Sequence, residues 1–382
     1  MRTSPRPRRG GLLIIAIAAT VVAACGSGVG DDGDAPSGDD GGGRIESALT
    51  FVPATEGASD FVVVNDTAAA ADAAGLTAPE PGASEEEIGA YLSPLSGVGD
   101  DATVAVAPSD LLIQSAIDDA GWRDEVGFGV VDLTGDVTSG QPPDDLQTLF
   151  GDFDEAAVEQ AVSTDPAWSG ELDEVEYGDA TYWSWGEDGA IDPSAISRVR
   201  RLGESARLFV DGDAGVAYWA NTDATIEAAL DTFAGDEPSL ADDPELGPMA
   251  AALDELGAYS AILTADGEAL QVPDGISSGA GDGPTLEPYE AVATGAAVVD
   301  GSARLLVVLV NTDEPTAQAN ADLLAQIVAE GSSAVNGRPW SDALGDGEIT
   351  VDGTVLAASF PTEDPRLWNG VVLTRDTLLA SS

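Results

Sequence analysis

Carboxylates are the only abundant reactive groups in this chain: 69 Asp and Glu residues stand against 14 arginines, with no lysine, no histidine and a single cysteine, Cys25. Without histidine, the Ser-His-Asp and Cys-His arrangements lack their base, and the usual zinc sites lack a ligand. Without lysine there is no P-loop lysine, no Schiff base and no Ser-Lys dyad. Two kinds of carboxylate chemistry remain. Paired acids can serve as acid and base on a glycoside, and oxygen ligands can hold Ca²⁺ or Mg²⁺. Spacing singles out no such pair. Asp211-Gly212-Asp213 begins like a calcium loop but has neither a third ligand nor a distal Glu, so it reads as a hairpin turn. Asp152 and Asp154 read as the flank and cap of a helix. Gly275-Ile276-Ser277-Ser278-Gly279 fits GxSxG, yet it lies in a Gly/Ser loop with no histidine to activate the serine. The GxGxxG match at 28–33 has no preceding strand. No catalytic, cofactor-binding or metal-ligating residue is assigned, and the chain is read as a non-enzyme without cofactor.

The tryptophans are the remaining chemical signal. Trp183 and Trp185 lie two apart on a strand-like run and share one face, with Tyr182 and Ser184 opposite. Trp219 sits on a later strand. Such rings fill a core poor in Phe and Ile, or, where exposed, stack a sugar or cover a partner. Trp183, Trp185 and Trp219 are therefore the candidate ligand or partner contacts.

These residues must be positioned by an α+β fold. Strand-like runs fall at 61–64, 102–107, 126–133, 181–185, 207–210, 216–220, 259–264, 292–299, 304–310 and 354–360. Asp211-Gly212, Asp300-Gly301 and Asp352-Gly353 each sit between two such runs, which is hairpin chemistry. Helices are expected after Asp154, with Phe153 stapled to Val158, and from Asp192-Pro193 through Ile196, Val199 and Leu202. Further helices are marked by Ile226, Leu230 and Phe233, by Met249, Leu253 and Leu256, and by Leu323, Leu324, Ile327 and Val328. Residues 273–288 read as a long surface loop. Hairpins interleaved with single helices indicate antiparallel sheets. An echo joins strand to helix at Asn65-Asp66-Thr67, Asn221-Thr222-Asp223 and Asn311-Thr312-Asp313. It reads as convergent capping or as a duplicated unit, in which Val131-Asp132, a helix and the 172–185 hairpin match Val299-Asp300, a helix and the 347–360 hairpin. Two lobes are expected, 44–235 and 245–382.

Residues 1–9 carry four arginines and no acid, and 12–24 form an unbroken apolar or small stretch ending in Val22-Ala23-Ala24-Cys25. Thirteen residues suit a secretory signal and fall short of the ~20 that span a bilayer. This resembles the signal peptide of bacterial lipoproteins, with 1–24 removed. The resemblance implies acylation of Cys25 and a location on the extracytoplasmic face of the cell membrane. Arg8-Arg9 hints at twin-arginine export, although Gly10-Gly11 follow where a bulky apolar residue is usual. Residues 26–43 hold five aspartates among Gly, Ser, Pro, Ala and one Val. With Cys25 they form a flexible acidic tether whose reach is about 21–25 Å.

Removing Arg2, Arg6, Arg8 and Arg9 takes the net charge from −55 to −59. A globule this acidic repels itself unless salt screens it, because the Debye length falls to roughly 3 Å at 1 M. The composition suits a salt-adapted, GC-rich prokaryote. The melting temperature is therefore expected to rise steeply with NaCl, and a flat response from about 0.1 to 2 M contradicts this reading. Nucleic acid is excluded as a partner because the mature chain's basic cluster, Arg198, Arg200, Arg201 and Arg207, is expected to pair with acids such as Glu204. The partners are then the membrane, through lipid on Cys25, and an unidentified envelope protein or small ligand. The functional expectation is a lipid-anchored envelope protein that binds or scaffolds. The alternatives are a transporter's solute-binding lipoprotein and a carboxylate-only enzyme acting on polysaccharide.

Overall fold

The structure is a computed structural model that describes residues 43–99, 102–109, 118–142, 144–168, 172–198, 200, 202–267 and 284–381. Twelve strands form one antiparallel sheet. The first seven are β1 (Val62–Asp66), β2 (Leu133–Ser139), β3 (Leu146–Gly151), β4 (Leu172–Tyr177), β5 (Ala180–Trp185), β6 (Ala206–Asp211) and β7 (Val216–Ala220). The other five are β8 (Ser260–Thr264), β9 (Ala291–Val299), β10 (Ser302–Val310), β11 (Glu348–Asp352) and β12 (Val355–Pro361). Their order across the sheet is β11-β12-β10-β9-β8-β1-β2-β3-β7-β6-β5-β4. This is the expected α+β architecture of hairpins and interspersed helices.

Antiparallel sheets commonly leave one face in water; this one is covered on both. The cause is legible in the central strands, which are apolar at consecutive rather than alternate positions, as in the buried runs of β9 and β10. One face packs against α1 (Arg44–Leu49), α6 (Asp223–Phe233) and α7 (Leu246–Glu255), through Ile45, Leu49, Ile226, Leu230, Met249 and Leu253. Val62 and Val64 point to that side, while Val63 and Asn65 point to the other. There α2 (Thr67–Ala74), α3 (Glu85–Leu95), α8 (Glu314–Glu330), α9 (Trp340–Ala343) and α10 (Leu367–Leu373) cover the centre and second half. The first half is covered by α4 (Asp119–Val126) and α5 (Glu155–Thr164). The edge strands β4 and β11 carry outward acids, which discourages further strand addition.

The expected lobes, 44–235 and 245–382, are halves of this one sheet, joined where β1 pairs β8 from Val62↔Leu263 to Asn65↔Ser260. They share one core cluster, which holds Val137 and Leu146 from the first half and Ala291 and Leu306 from the second. Strand orders β1-β2-β3 and β8-β9-β10 run outward from that seam, and each outer edge of the sheet is a hairpin preceded in the chain by helix: α5 before β4–β5, and α8 and α9 before β11–β12. The β6–β7 hairpin is interposed in the first half only. The proposed residue match is off by one strand, because Val131-Asp132 lies in a 3₁₀ turn before β2 whereas Val299-Asp300 lies between β9 and β10. All three Asp-Gly hairpins form. Asp300 and Gly301 have φ of 52° and 76°, the positive pair that a tight two-residue hairpin turn demands.

Other expectations are corrected. Residues 126–133 are not a strand: Val126 ends α4, and a turn at Val130–Asp132 intervenes before β2. The Asp119 carboxylate, accepting from the Val130 N–H at 2.7 Å, and Asp132, accepting from the Gly129 N–H at 2.7 Å, fix this turn against strand propensity. Among the described residues no helix follows Asp192-Pro193, and Val199, one of its expected markers, lies outside them. Asp192 Oδ1 accepts from both the N–H and the hydroxyl of Ser194, closing a local turn, and Ile196 and Leu202 are left exposed. Asp154 caps α5 as expected, and Phe153 and Val158 share a core cluster. Residues 102–107 form no strand and join no ladder among the described residues.

Candidate functional site

Residues 102–109 form a strap over the β1–β8 seam. Asn65, at the end of β1, holds it as a second peptide group would: the Ala107 N–H donates to Asn65 Oδ1 at 2.9 Å, and Asn65 Nδ2 donates to Ala107 O at 3.2 Å. The Ala107 N–H also donates to Ser260 Oγ at 3.0 Å. One residue back, the Val106 N–H donates to Leu95 O at 2.8 Å. The Ala105 N–H donates to the Tyr259 hydroxyl, and Ala105 O accepts from Trp368 Nε1, each at 3.0 Å. Burial pushes the Tyr259 hydroxyl up to about 12, so it stays protonated.

Beneath the strap lies a buried acid. Asp136, opposite Asn65 in β2, is 2% exposed and accepts from Asn65 Nδ2 at 3.2 Å. Burial pushes its carboxyl up to about 7, against the lowering effect of hydrogen bonds from Asn65 and Ser109.

Beside the strap a cavity of about 400 Å³ opens between α3 and α10, lined by Leu92, Leu95, Val106, Pro108, Arg366 and Asn369 among others. The volume suits a small molecule, for which sites run from about 300 to 1,000 Å³. The walls are mostly apolar. Two polar residues of α10 and its N-terminal boundary, Arg366 and Asn369, stand three apart and so share a helix side. Asn369 Oδ1 is buried, out of contact with solvent, and has no hydrogen-bond partner among the described residues, a state that costs ~1–3 kcal/mol. The Arg366 stem runs close to Gly97. A Cβ added at Gly97 falls 2.5 Å from Arg366 Cγ and 2.9 Å from Ala105 Cβ, and Gly97 has a φ of 69°. Glycine there leaves room for the arginine stem, which any side chain at 97 would meet.

The other sequence candidates are placed elsewhere. Trp183 and Trp185 do share a face of β5, with Tyr182 in the core on the opposite side. Trp185 and Trp219 are core residues, 5% and 8% exposed, and Trp183 packs partly buried against the same cluster. The physical reason is Arg200, fully buried, whose guanidinium lies 3.5 Å from the Trp185 ring centroid and 5.2 Å from that of Trp168. Two members of the basic cluster pair with acids, as expected, while Arg201 lies outside the described residues. Arg198 binds Asp118 at 2.6 Å, and Arg207 binds Asp188 at 2.6 Å and also Asp223. Glu204 instead accepts from the Leu202 N–H. Asp211 accepts from the Ala214 N–H inside its hairpin turn. Among the described residues no group of three or more acids could hold a metal ion. Cys25, the tether to residue 42 and the GxSxG match at 275–279 lie outside the described residues.

The echo proves partly structural. Asp66, Thr222 and Asp313 each cap the helix that follows. Asn65 and Asn311 are both buried and bonded to backbone carbonyls, Asn311 to Thr354 O at 3.0 Å. Sequence reading missed Asp136, Gly97, Arg366 and Asn369. The available signals were an acid inside a strand and an asparagine beside Trp368 on an apolar helix face.

No protein-family model matches the chain, and no curated protein matches it. Among solved structures, crystal form III of TP0453 is similar over 86% of this chain and 97% of that one, with a TM-score of 0.40 and 10% identity. Crystal form I of TP0453 is similar over 87% and 98%, with a TM-score of 0.37 and 11% identity. The functional reading therefore rests on the chain's own residues.

Proposed function

We propose that this is a lipid-anchored extracytoplasmic envelope protein that works by binding a small ligand in the cavity between α3 and α10. The cavity carries the reading, with its mostly apolar wall and Arg366 among its lining residues. A pure scaffold has no use for a mostly apolar hollow of small-molecule size. Anchoring rests on the run ending at Cys25. No catalytic role is included, since the chain offers neither histidine nor lysine.

Two measurements test this. The mature chain carrying Cys25→Ser is expected to leave the membrane fraction; retention contradicts lipid anchoring. A thermal-shift screen of that protein in high salt, against amphiphiles, sugars, amino acids and peptides, is expected to show a rise of several degrees with an amphiphile. The rise is expected to vanish in Ser96→Trp, which fills the cavity mouth from an exposed position. A screen without any shift leaves the binding reading without support and returns the scaffold to first place.

A further inference from the structure

Resting on that reading, we infer that the strap is a proton-controlled wall of the cavity. It closes over Asp136 while that acid is protonated and lifts when the acid ionises, so the cavity admits and releases its ligand more readily as pH rises. Four buried polar side chains lie under or within the strap: Asn65, Ser109, Asp136 and Ser260, each no more than 3% exposed. Asn65 joins them. Its Nδ2 donates to Ala107 O and to Asp136 Oδ1, both at 3.2 Å, and its Oδ1 accepts from the Ala107 N–H and from Ser260 Oγ, the latter at 2.5 Å. Ser109, in the strap itself, also bonds Asp136. The acid is thus tied to the strap directly through Ser109 and at one remove through Asn65. Val106, Ala107 and Pro108 of the same strap wall the cavity.

Asp136 lacks a cation. The strap, 102–109, has no ionisable side chain. Of the arginines on the elements around β2, Arg44 is bound to Asp66 at 3.3 Å and Arg123 to Asp132 at 2.6 Å. Asp72 of α2 and Asp119 of α4 are acids as well, and the Tyr259 hydroxyl stays protonated. Burial raises the Asp136 carboxyl, hydrogen bonds from Asn65 and Ser109 oppose it, and no charge is among the causes. An ion placed there must be reached by water. The strap is the cover that opens at least cost: β1 and β2 are tied to each other, to β8 and to β3 by ladders, whereas the strap is held by single bonds. The closed strap binds the extra proton. Opening is therefore easier by about tenfold per unit as pH climbs from 3.8 to about 7, and it levels off above that.

Hydrogen exchange of the mature Cys25→Ser chain, without ligand and at fixed high salt, is followed at the amides of Ala105, Val106 and Ala107 from about pH 5 to about 8. Their protection factors are expected to fall about tenfold per unit up to about pH 7 and then level off, and to stay nearly flat in Asp136→Asn. Ser109→Ala removes a bond that lowers the Asp136 carboxyl, so its levelling-off is expected at higher pH. This variant decides the matter should Asp136→Asn fail to fold. Strap protection that ignores pH, that rises with pH, or that falls alike in wild type and Asp136→Asn overturns the proton control. Release of N-octylacetamide, uncharged throughout, is then timed by stopped flow, and is expected to quicken over the same range in the wild type only. A responsive strap with a release rate indifferent to pH overturns the gating of the ligand. A responsive strap in a protein whose melting no amphiphile shifts leaves the proton control standing and takes down the cavity reading alone.

Discussion

Asp136→Asn is expected to stabilise the protein above pH 7 by up to about 4 kcal/mol and to flatten its stability between pH 5 and 8. The magnitude follows from a carboxyl moved from 3.8 to about 7 by burial, at about 1.4 kcal/mol for each unit. The folded value is raised, so the native state binds the extra proton, and the stability linked to it is complete below about pH 3.8. It is lost as pH climbs through 7, where the native state must carry an ion under the strap. Asparagine keeps the shape of the neutral acid and never ionises. It can still accept from Asn65 Nδ2, and the Ser109 hydroxyl can turn to accept its amide N–H. Other carboxyls also titrate with folding. Asp66, Asp119 and Asp254 are raised, chiefly by burial, while Asp118 is lowered by the hydrogen bond from Arg198. Subtracting wild-type from variant stability at each pH cancels these contributions. Urea midpoints measured from pH 5 to 8 at fixed high salt should lie nearest in acid, draw apart up to about pH 7 and keep a constant separation above it. Parallel curves place the Asp136 titration outside this range.

What the sequence could disclose was local. Asp211-Gly212, Asp300-Gly301 and Asp352-Gly353 disclose hairpins because turn geometry is set within four residues. Asp154 and Asp313 disclose helix starts because a carboxylate at the cap meets N–H groups two or three residues ahead. The same local logic misled at Asp192, whose side chain found the Ser194 N–H but led into no helix. The seam was illegible for the opposite reason. Asn65 and Ser260 are 195 positions apart, and nothing in either strand names the other. The shared face of Trp183 and Trp185 followed from strand alternation, but their burial depended on α4, α5 and Arg200 arriving from elsewhere.

The cavity was hidden in the same way. Arg366 and Asn369 gain meaning from Gly97 and the strap, which lie more than 250 positions earlier in the chain. In isolation, 102–107 reads as one more strand. Its backbone groups are met by a side-chain amide, a phenol and an indole instead of by a neighbouring strand. A buried backbone without a ladder must be satisfied in some such way, and that requirement ties the strap to residues as far apart in the chain as Asn65, Tyr259 and Trp368.

Trp368 carries the heaviest part of that tie, and Trp368→Ala is expected to cost ~3–5 kcal/mol, the range for emptying a large buried aromatic site. The ring is 1% exposed, its Nε1 donates to Ala105 O, and its own carbonyl accepts from Thr294 Oγ1 at 3.3 Å. Removing it opens a void beneath α10 and orphans the Ala105 carbonyl together. Trp368→Phe separates the two effects: most of the ring volume stays, the indole donor goes, and a loss of about 1–3 kcal/mol is expected. Hydrogen exchange locates the damage. The amides of Ala105, Val106 and Ala107 should lose protection in Trp368→Phe while those of β9 and β10 keep theirs, because opening is cheapest where a segment is held by single bonds. A uniform loss of protection over the whole sheet would mean that the strap and the sheet open as one unit. In that case the cavity wall would be as rigid as the core. A local loss makes the strap the adjustable wall, and ligand binding should then restore protection at those three amides ahead of any others.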